Sequence, residues 1–557
     1  MAAQKHLAKF FILANFCLAI GLLLNYALPI LISQIIDKQL ALTQDSQTLP
    51  MWKEPPVPIY QKFYFFNVTN AHEIEQFGHK PQLVEIGPFT YRAKFSKRDI
   101  EYSPGDNKDK DKNLQSILSY KNFKTWHFEP ELSIADHSLE LVTLNAPLAI
   151  TLSLIQSASN AVRLLVTFSL DGLSEGFFTK RSVRQLLFDG YPDLLTTFGP
   201  LLNAEMLSQG GHFGYMNARN NSMDGYFEIN TGEDDIEKLN TLNKYNGRHK
   251  LPFWHNTPAH CNSLEGATMG ELFPPIKTAT AEAASIKLFQ PDFCRVWRLD
   301  HELDLDHKAT GLRLKRFRAS RDIFRNSTDL PENSCFFSGS LRRGGDSLSS
   351  STTGAHRPTP HHSSHHANRV GGARQTRQTQ SQPQQHHHSG RHHTRVRQEW
   401  PQGVFSLAPC KFNAPIFMSM PHFLDADSYF RSRVDGLEPE ANRHEFYVDL
   451  EPRTGSPVVM AARVQLNVAI SKPPGLVRFR NIPEIMFPVF WQELSVNLTG
   501  QPVIQQLVFA SRGAQETNLR ISYTFLVLGM AILVATTLFY LHSKLVNWLA
   551  QRSSSAT

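Results

Sequence analysis

The residues suited to chemistry are scattered, and few fall at a working spacing. His301 and Glu302 open a pattern that a zinc protease completes with a histidine at position 305, but Leu305 stands there and the next histidine is His307. That spacing does not put both rings on one helical face. The acid pairs Asp234–Asp235 and Asp304/Asp306 read as solvated turn or strand residues rather than general acids. Arg313, Lys315, Arg316 and Arg318 form a basic stretch that could meet an anionic ligand or simply cover the exposed face of a strand. No G-x-S-x-G elbow and no Walker loop is present. These readings assign no catalytic residue, no metal and no cofactor, so binding or transport has more support than catalysis.

Five cysteines are present. Cys17 falls in an apolar run and reads as a packing residue. Cys261, Cys294, Cys335 and Cys410 are an even set; in an oxidising compartment they imply two disulfides, with three pairings open. Their spacing is too wide for a C-x-x-C zinc knuckle.

The formal net charge is +7. Between 339 and 400 the chain holds nine Arg, no Lys and two acids, so the whole excess lies there and the remainder is near neutral. That excludes a general basic surface, and no nucleic-acid partner is expected. The segment 339–398 is rich in Ser, Arg, Gln, Thr and His and poor in large apolar residues. Such a composition buries too little surface to offset its ordering entropy and reads as a disordered insert. Its histidine clusters (361–362, 365–366, 386–388, 392–393) fit either a metal- or pH-sensing tract or low-complexity drift.

The elements that must carry these residues begin and end in a membrane. The runs 10–32 and 521–541 are apolar and uncharged, and about 20 such residues cross a bilayer core of about 30 Å. The first is longer than a signal peptide's apolar region and has no clear cleavage site after it. Lys5 and Lys9 precede it, and Lys544 and Arg552 follow the second, which favours cytosolic tails at 1–9 and 542–557. Asn67, Asn220, Asn326 and Asn497 are N-x-S/T sequons within the segment 33–520 and are expected glycosylation sites, placing that segment outside the cytosol. Within it, 60–68, 83–95 and 117–129 read as strands, with a Gly-Pro turn inside the second. The stretch 146–170 is helical and unusually apolar, 182–188 helical, and 251–330 and 415–468 strand-rich. Exposed apolar surface at 146–170 would mark an interaction site, and burial in the core is its alternative.

Several motifs then converge: 87–92 (GPFTYR), 128–133 (FEPELS), 224–227 (DGYF) with Gly232 beyond it, 273–275 (FPP), 420–424 (MPHFL), and 435–468 with its DGLEPE and YVDLEPRTG. On these the chain resembles the class B scavenger receptors, whose members include a platelet fatty-acid receptor, a high-density lipoprotein receptor, a lysosomal integral membrane protein and sensory neuron membrane proteins. The resemblance covers nearly the whole chain except the insert. It implies an α+β membrane protein with an antiparallel β-barrel-like ectodomain, an apical helical bundle, and one transmembrane helix at each terminus. A hydrophobic tunnel would run from the apex toward the bilayer. The function implied is a cell-surface scavenger-type receptor that binds fatty acids, sterols, carotenoids or lipoprotein lipid and passes lipid to the membrane. Expected partners are lipid or lipoprotein ligands and the bilayer, with homo-oligomerisation left open.

By position, the resemblance pairs Cys261 with Cys335 and Cys294 with Cys410, and Phe337 replaces one cysteine of a further pair found in some relatives. Apex contacts implied for ligand are Leu152, Ile155, Leu164, Leu165, Phe168, Lys180 and Arg181. Gly172 and Ser174 stand near positions where some relatives carry lysines, which weighs against acidic lipoproteins as ligands. The C-terminal tail has no acidic dileucine signal, which favours the plasma membrane. The alternatives are a lysosomal or endosomal protein-trafficking receptor, and a recognition receptor for apoptotic cells or microbes without transport.

Overall fold

The computed structural model describes residues 2–105, 115–156, 158–172, 176–202, 211–254, 258–276, 285–336, 400–472 and 476–554. The insert at 339–398, Phe337 and Ser174 lie outside them.

Helix α1 (Ala2–Leu40) opens the chain, and a helix at Ala514–Ser554 closes it. Each spans about 60 Å at 1.5 Å per residue, so each runs past its apolar stretch. Apolar helices gain nothing from the hydrophobic effect within lipid and associate through close packing and polar bonds. Here a Cβ on Gly21 would stand 2.7 Å from the Leu526 side chain, and one on Gly529 2.8 Å from Leu18. Ser522 Oγ donates to Gly21 O at 2.9 Å and Asn518 Nδ2 to Leu24 O at 3.1 Å. Cys17 is buried in the same seam.

Between the helices lies a fourteen-stranded sheet: β1 (Ile59–Val68), β2 (Leu83–Ser103), β3 (Ile117–Phe128), β4 (Ser222–Asn230), β5 (Leu242–Tyr245), β6 (Ala267–Thr268), β7 (Ser285–Phe289), β8 (Val296–His307), β9 (Leu312–Ala319), β10 (Val404–Ser406), β11 (Ile416–Ser419), β12 (Tyr447–Glu451), β13 (Ser456–Ala469) and β14 (Met486–Asn497). The hydrogen-bonded order is β6-β7-β8-β9-β12-β13-β14-β1-β2-β3-β4-β5, with β11 added on β13 and β10 on β11. All pairings among the described strands are antiparallel except β6–β7. The two ends of this path approach each other: Tyr245 of β5 and Phe289 of β7 meet edge to face at 5.2 Å within one apolar cluster. The sheet is thus a nearly closed barrel, drawn together at the gap by side chains.

The Gly-Pro pair expected as a turn is not one. β2 runs through it unbroken, and the register with β1 slips between Phe63 and Phe65. Proline lacks the N–H of a regular ladder, so the bulge accommodates it. Gly87 is needed because a Cβ there would stand 2.8 Å from Phe63 O. The long apolar stretch is also two helices, α2 (Ala146–Leu154) and α3 (Asn160–Gly172). Asn145 caps α2, accepting from Leu148 N at 3.1 Å. The second expected helix, 182–188, is a short helical segment that begins directly after the strand Phe178–Ser182 and widens into a π-helix at Gln185–Asp189. Cys261 is bonded to Cys335 and Cys294 to Cys410.

Candidate functional site

Strand side chains alternate between faces, and the inward face of this sheet encloses a cavity of about 830 Å³. Its two walls differ in chemistry. β1 contributes Ile59, β13 contributes Met460, Ala462 and Val464, and β14 contributes Leu494 and Val496. On the other side β2 presents Phe95 and Lys97, and β3 presents Asn122, Lys124 and Trp126. One end is lined by Ile35 and Ile36 of α1 and by Leu507 and Phe509 shortly before the closing helix. The cavity therefore reaches the segments that lead into both membrane helices. Arg453 ties α1 to the barrel there, donating to Asp37 Oδ1 at 2.7 Å and to Ser33 O at 3.1 Å.

The polar wall is a network of paired charges. Lys97 is 2% exposed, sits 3.0 Å from Glu271 Oε1 and lies over the Trp52 ring at 4.7 Å. Lys124 pairs with Asp224. Arg219 reaches Asp292 at 2.6 Å and Asp224 at 3.5 Å, and Lys411 reaches Asp292 at 3.3 Å. Burial pushes the Asp292 carboxyl up, but Arg219 and Lys411 outweigh it and hold the group well below the usual range. Asp292 in turn holds the Arg219 guanidinium firmly charged. Trp126 Nε1 donates to Gln61 Oε1 at 2.7 Å, and Gln61 Nε2 donates to Gln492 Oε1 at 2.8 Å, a line of bonds across β3, β1 and β14.

A sequence model of the CD36 family matches residues 12–540. The chain belongs to the CD36 family. It is 26% identical over 534 residues to scavenger receptor class B member 1 of Cricetulus griseus, covering 95% of this chain and 88% of that protein. It is 27% identical over 513 residues to human lysosome membrane protein 2, covering 90% and 87%. These relatives carry the names of a receptor and a lysosomal membrane protein. This CD36-family chain is accordingly a membrane protein of receptor type.

The expected apex contacts separate into three groups. Leu152 and Ile155 are buried in the core and do not line this cavity, so they pack beneath the surface and are not surface contacts. The reason is that α2 is apolar all round and packs on every side. α3 is different: Val166 and Leu170 point inward, while Leu164, Leu165 and Phe168 lie on its outer face, Phe168 at 80% exposure. Lys180 pairs with Glu140 at 2.9 Å, and Arg181 stacks over Tyr191 at 4.7 Å. Described residues of α2 and α3 do not line the cavity, so the expected tunnel mouth at the apex is not part of its wall.

The sequons also differ in their surroundings. Asn220 uses both ends of its amide, accepting from Trp126 N at 2.9 Å and donating to Trp126 O at 3.2 Å. Asn67 accepts from Val142 N at 2.9 Å, Asn326 from Asp329 N at 3.0 Å, and Asn497 from the Thr499 hydroxyl at 2.7 Å. The basic stretch on β9 is spent on acids of neighbouring strands. Lys315 reaches Asp304 at 2.9 Å, Arg316 grips both oxygens of Asp449 at 2.6 and 2.8 Å, and Arg318 reaches Glu302 at 3.0 Å. His301 Nε2–H donates to Asp304 Oδ1 at 2.8 Å, and His307 pairs with Thr310.

Sequence reasoning missed one buried cluster. Glu85, His422 and His444 bring their polar atoms within 4.8 Å of one another, close enough to suggest a metal. The hydrogen bonds argue against one. Glu438 N–H donates to His422 Nδ1 at 3.0 Å and Glu440 N–H to His444 Nδ1 at 2.9 Å. A neutral ring whose Nδ1 accepts must carry its proton on Nε2, so neither Nε2 keeps a lone pair for a cation. His422 Nε2 instead donates to Glu85, which also accepts from Trp491 Nε1 at 2.8 Å. Burial raises the Glu85 carboxyl, but these bonds from His422 and Trp491 overcome it and hold the group at about 2. Burial pushes His444 down to about 3.

Proposed function

We propose that this CD36-family protein is a cell-surface receptor that takes up hydrophobic ligands and delivers lipid to the membrane through its barrel cavity. The observation that carries this reading is the cavity itself: an apolar wall on β1, β13 and β14, ending against α1 and the segment before the closing helix. Such a path removes apolar surface from water all the way to the bilayer, which is the main cost of moving a lipid. The exposed face of α3, with Leu164, Leu165 and Phe168, supports a separate capture surface for lipid or lipoprotein particles. The plasma membrane, cytosolic tails and glycosylation at Asn67, Asn220, Asn326 and Asn497 belong to the same proposal.

The test is lipid uptake by cells expressing wild type or Ala462→Trp at equal surface density. Ala462 lies on the apolar wall, and an indole there fills the passage. Uptake by the variant is expected to fall to the level of untransfected cells. Equal uptake in both would sink the conduit. A second reading, a trafficking receptor of lysosomes, draws on the likeness to lysosome membrane protein 2. Steady-state lysosomal residence of the tagged full chain would favour it.

A further inference from the structure

The first membrane helix carries a polar side chain that the seam within the chain does not use. α1 and the closing helix meet at Leu18 against Gly529 and at Gly21 against Leu526. These contacts bring the uncharged runs 10–32 and 521–541 side by side, and the middle of their overlap falls near Leu18. Asn15 stands about 4.5 Å from that midpoint along the helix axis. Ala14 and Cys17 are buried in the seam, whereas Asn15 is exposed on the flank of α1. Among the described residues its amide bonds only within its own helix, Nδ2 donating to Phe11 O at 2.8 Å. The carbonyl Oδ1 and the second amide N–H are left over on a lipid-facing surface.

Lipid chains offer no hydrogen bond, so a polar group deep in the bilayer is costly unless a protein group meets it. Ile12, Asn15, Ala19, Leu22 and Tyr26 recur at alternating steps of three and four, and all five are exposed. That is the heptad spacing of a helix–helix seam. Ala19, one turn from Asn15, leaves room for a second backbone to approach. Copies of one chain cross the bilayer in one orientation, so their α1 helices meet in parallel. A two-fold contact then sets each residue opposite its own counterpart. An amide suits such a contact because it is complementary to itself: it holds a donor and an acceptor, and a facing pair exchanges two bonds. A single Asn in a heptad seam also fixes the register of the two helices.

We propose that this face of α1 is the interface for a second copy of the chain, with Asn15 of each copy bonded to Asn15 of the other near the bilayer centre. The proposal stands apart from the conduit reading. Nδ2–H of each amide donates to Oδ1 of the other, so both atoms that lipid cannot serve are served at once. The seam with the closing helix, at Gly21, Leu24 and their partners, lies on a different face of α1. Forming the pair therefore breaks no contact inside either copy.

The experiment uses the full-length protein, labelled in two batches with a donor or an acceptor fluorophore. The batches are reconstituted together in phosphatidylcholine vesicles that hold no other protein, and energy transfer is followed as added lipid dilutes the chains. Wild type is expected to associate, and Asn15→Leu to shift the dilution midpoint toward monomer by at least about tenfold. Asn15→Gln keeps the amide and is expected to stay within about threefold of wild type. In a second arm, Asn15→Cys should cross-link between copies under mild oxidation, while Leu13→Cys, exposed on the other flank of α1, should not. Transfer on wild type no greater than chance proximity overturns the proposal and leaves this face to lipid or to a different membrane protein. Association unchanged by Asn15→Leu overturns it, as does equal cross-linking from positions 13 and 15, because the contact then lies elsewhere. A loss in Asn15→Gln as large as in Asn15→Leu also overturns it, since the amide is then not what pairs.

Discussion

β14 has two faces, and they carry two kinds of buried polar cluster. Gln492 points into the cavity beside the polar wall, while its neighbour Trp491 points the other way, onto Glu85 and the histidine pair. In the histidine cluster the space is filled. His422 and His444 stack at 4.3 Å, Trp491 stacks on Tyr64 at 3.8 Å, and both histidine rings are held by backbone N–H donors at Nδ1. His444 Nε2 is left without a partner there, and no member of the cluster lines the cavity. On the cavity side Asn122 Oδ1 is likewise buried and unpaired among the described residues, although the residue lines the cavity. An orphan polar atom in a filled pocket is a fixed penalty of the fold. A residue on a cavity wall is open to a ligand only through the atoms that reach the space. Burial of polar groups therefore does not locate a site until it is paired with space.

The sharpest way to break that comparison is Arg219→Met, which leaves Asp292 and Asp224 short of a cation. Removing one member of this part-buried ionic network is expected to cost about 2 kcal/mol, read as thermal unfolding of the solubilised full chain. A loss below about 1 kcal/mol would mean that the cavity screens these acids as open solvent does.

Acidification tests the filled cluster. The unfolded His444 ring takes up a proton as pH falls through about 6.5, whereas the folded ring resists until about 3. Its stabilising contribution is present above pH 6.5 and is lost progressively below. Taking the chain from pH 6.5 to 5 is expected to lose about 2 kcal/mol through this ring. Glu85, held at about 2, adds nothing in that window, because its contribution fades only below its unfolded value near 4.5. His444→Phe should flatten the slope between pH 7 and 5, and an unchanged slope would show that another group carries it.

The charged wall can be sharpened by removing a pair together. Lys97→Met alone strands Glu271, whereas Lys97→Met with Glu271→Leu is expected to stay within about 1 kcal/mol of wild type. A double variant no better than the single would mean that Lys97 also stabilises through the Trp52 ring. The smallest effect belongs to the surface of α3. Phe168→Ser should change stability by less than about 0.5 kcal/mol yet lower ligand capture by cells. Unchanged capture would remove α3 from the proposal.

Local pattern made part of this molecule legible. The uncharged runs at 10–32 and 521–541 specify helices by length and composition alone, and both lie inside longer helices. The aromatic alternation at 60–68 became Ile59–Val68, and 117–129 became Ile117–Phe128. These are statements about neighbours along the chain, which periodicity encodes. It misled at 87–88, where a Gly-Pro pair reads as a turn and the sheet makes it a bulge. It misled again at 146–170, where apolarity hid a break between two helices.

The cavity was not legible for a different reason. Lys97 and Lys124 share the inward parity of Phe95 and Trp126, but a lysine in a strand reads as solvent-facing until its buried counter-ion is known. Asp292 meets Arg219 across 73 residues and Lys411 across 119. Glu85 meets His422 across 337. Which cysteine bonds to which has the same character: their number comes from composition, while Cys294 and Cys410 are 116 residues apart. Sequence alone determined which segments could cross lipid, which could be strands and how many thiols were available. Tertiary structure decided which charges were paired, which rings were locked and which residues line the cavity, because those depend on distances between strands that only the closing of the sheet sets.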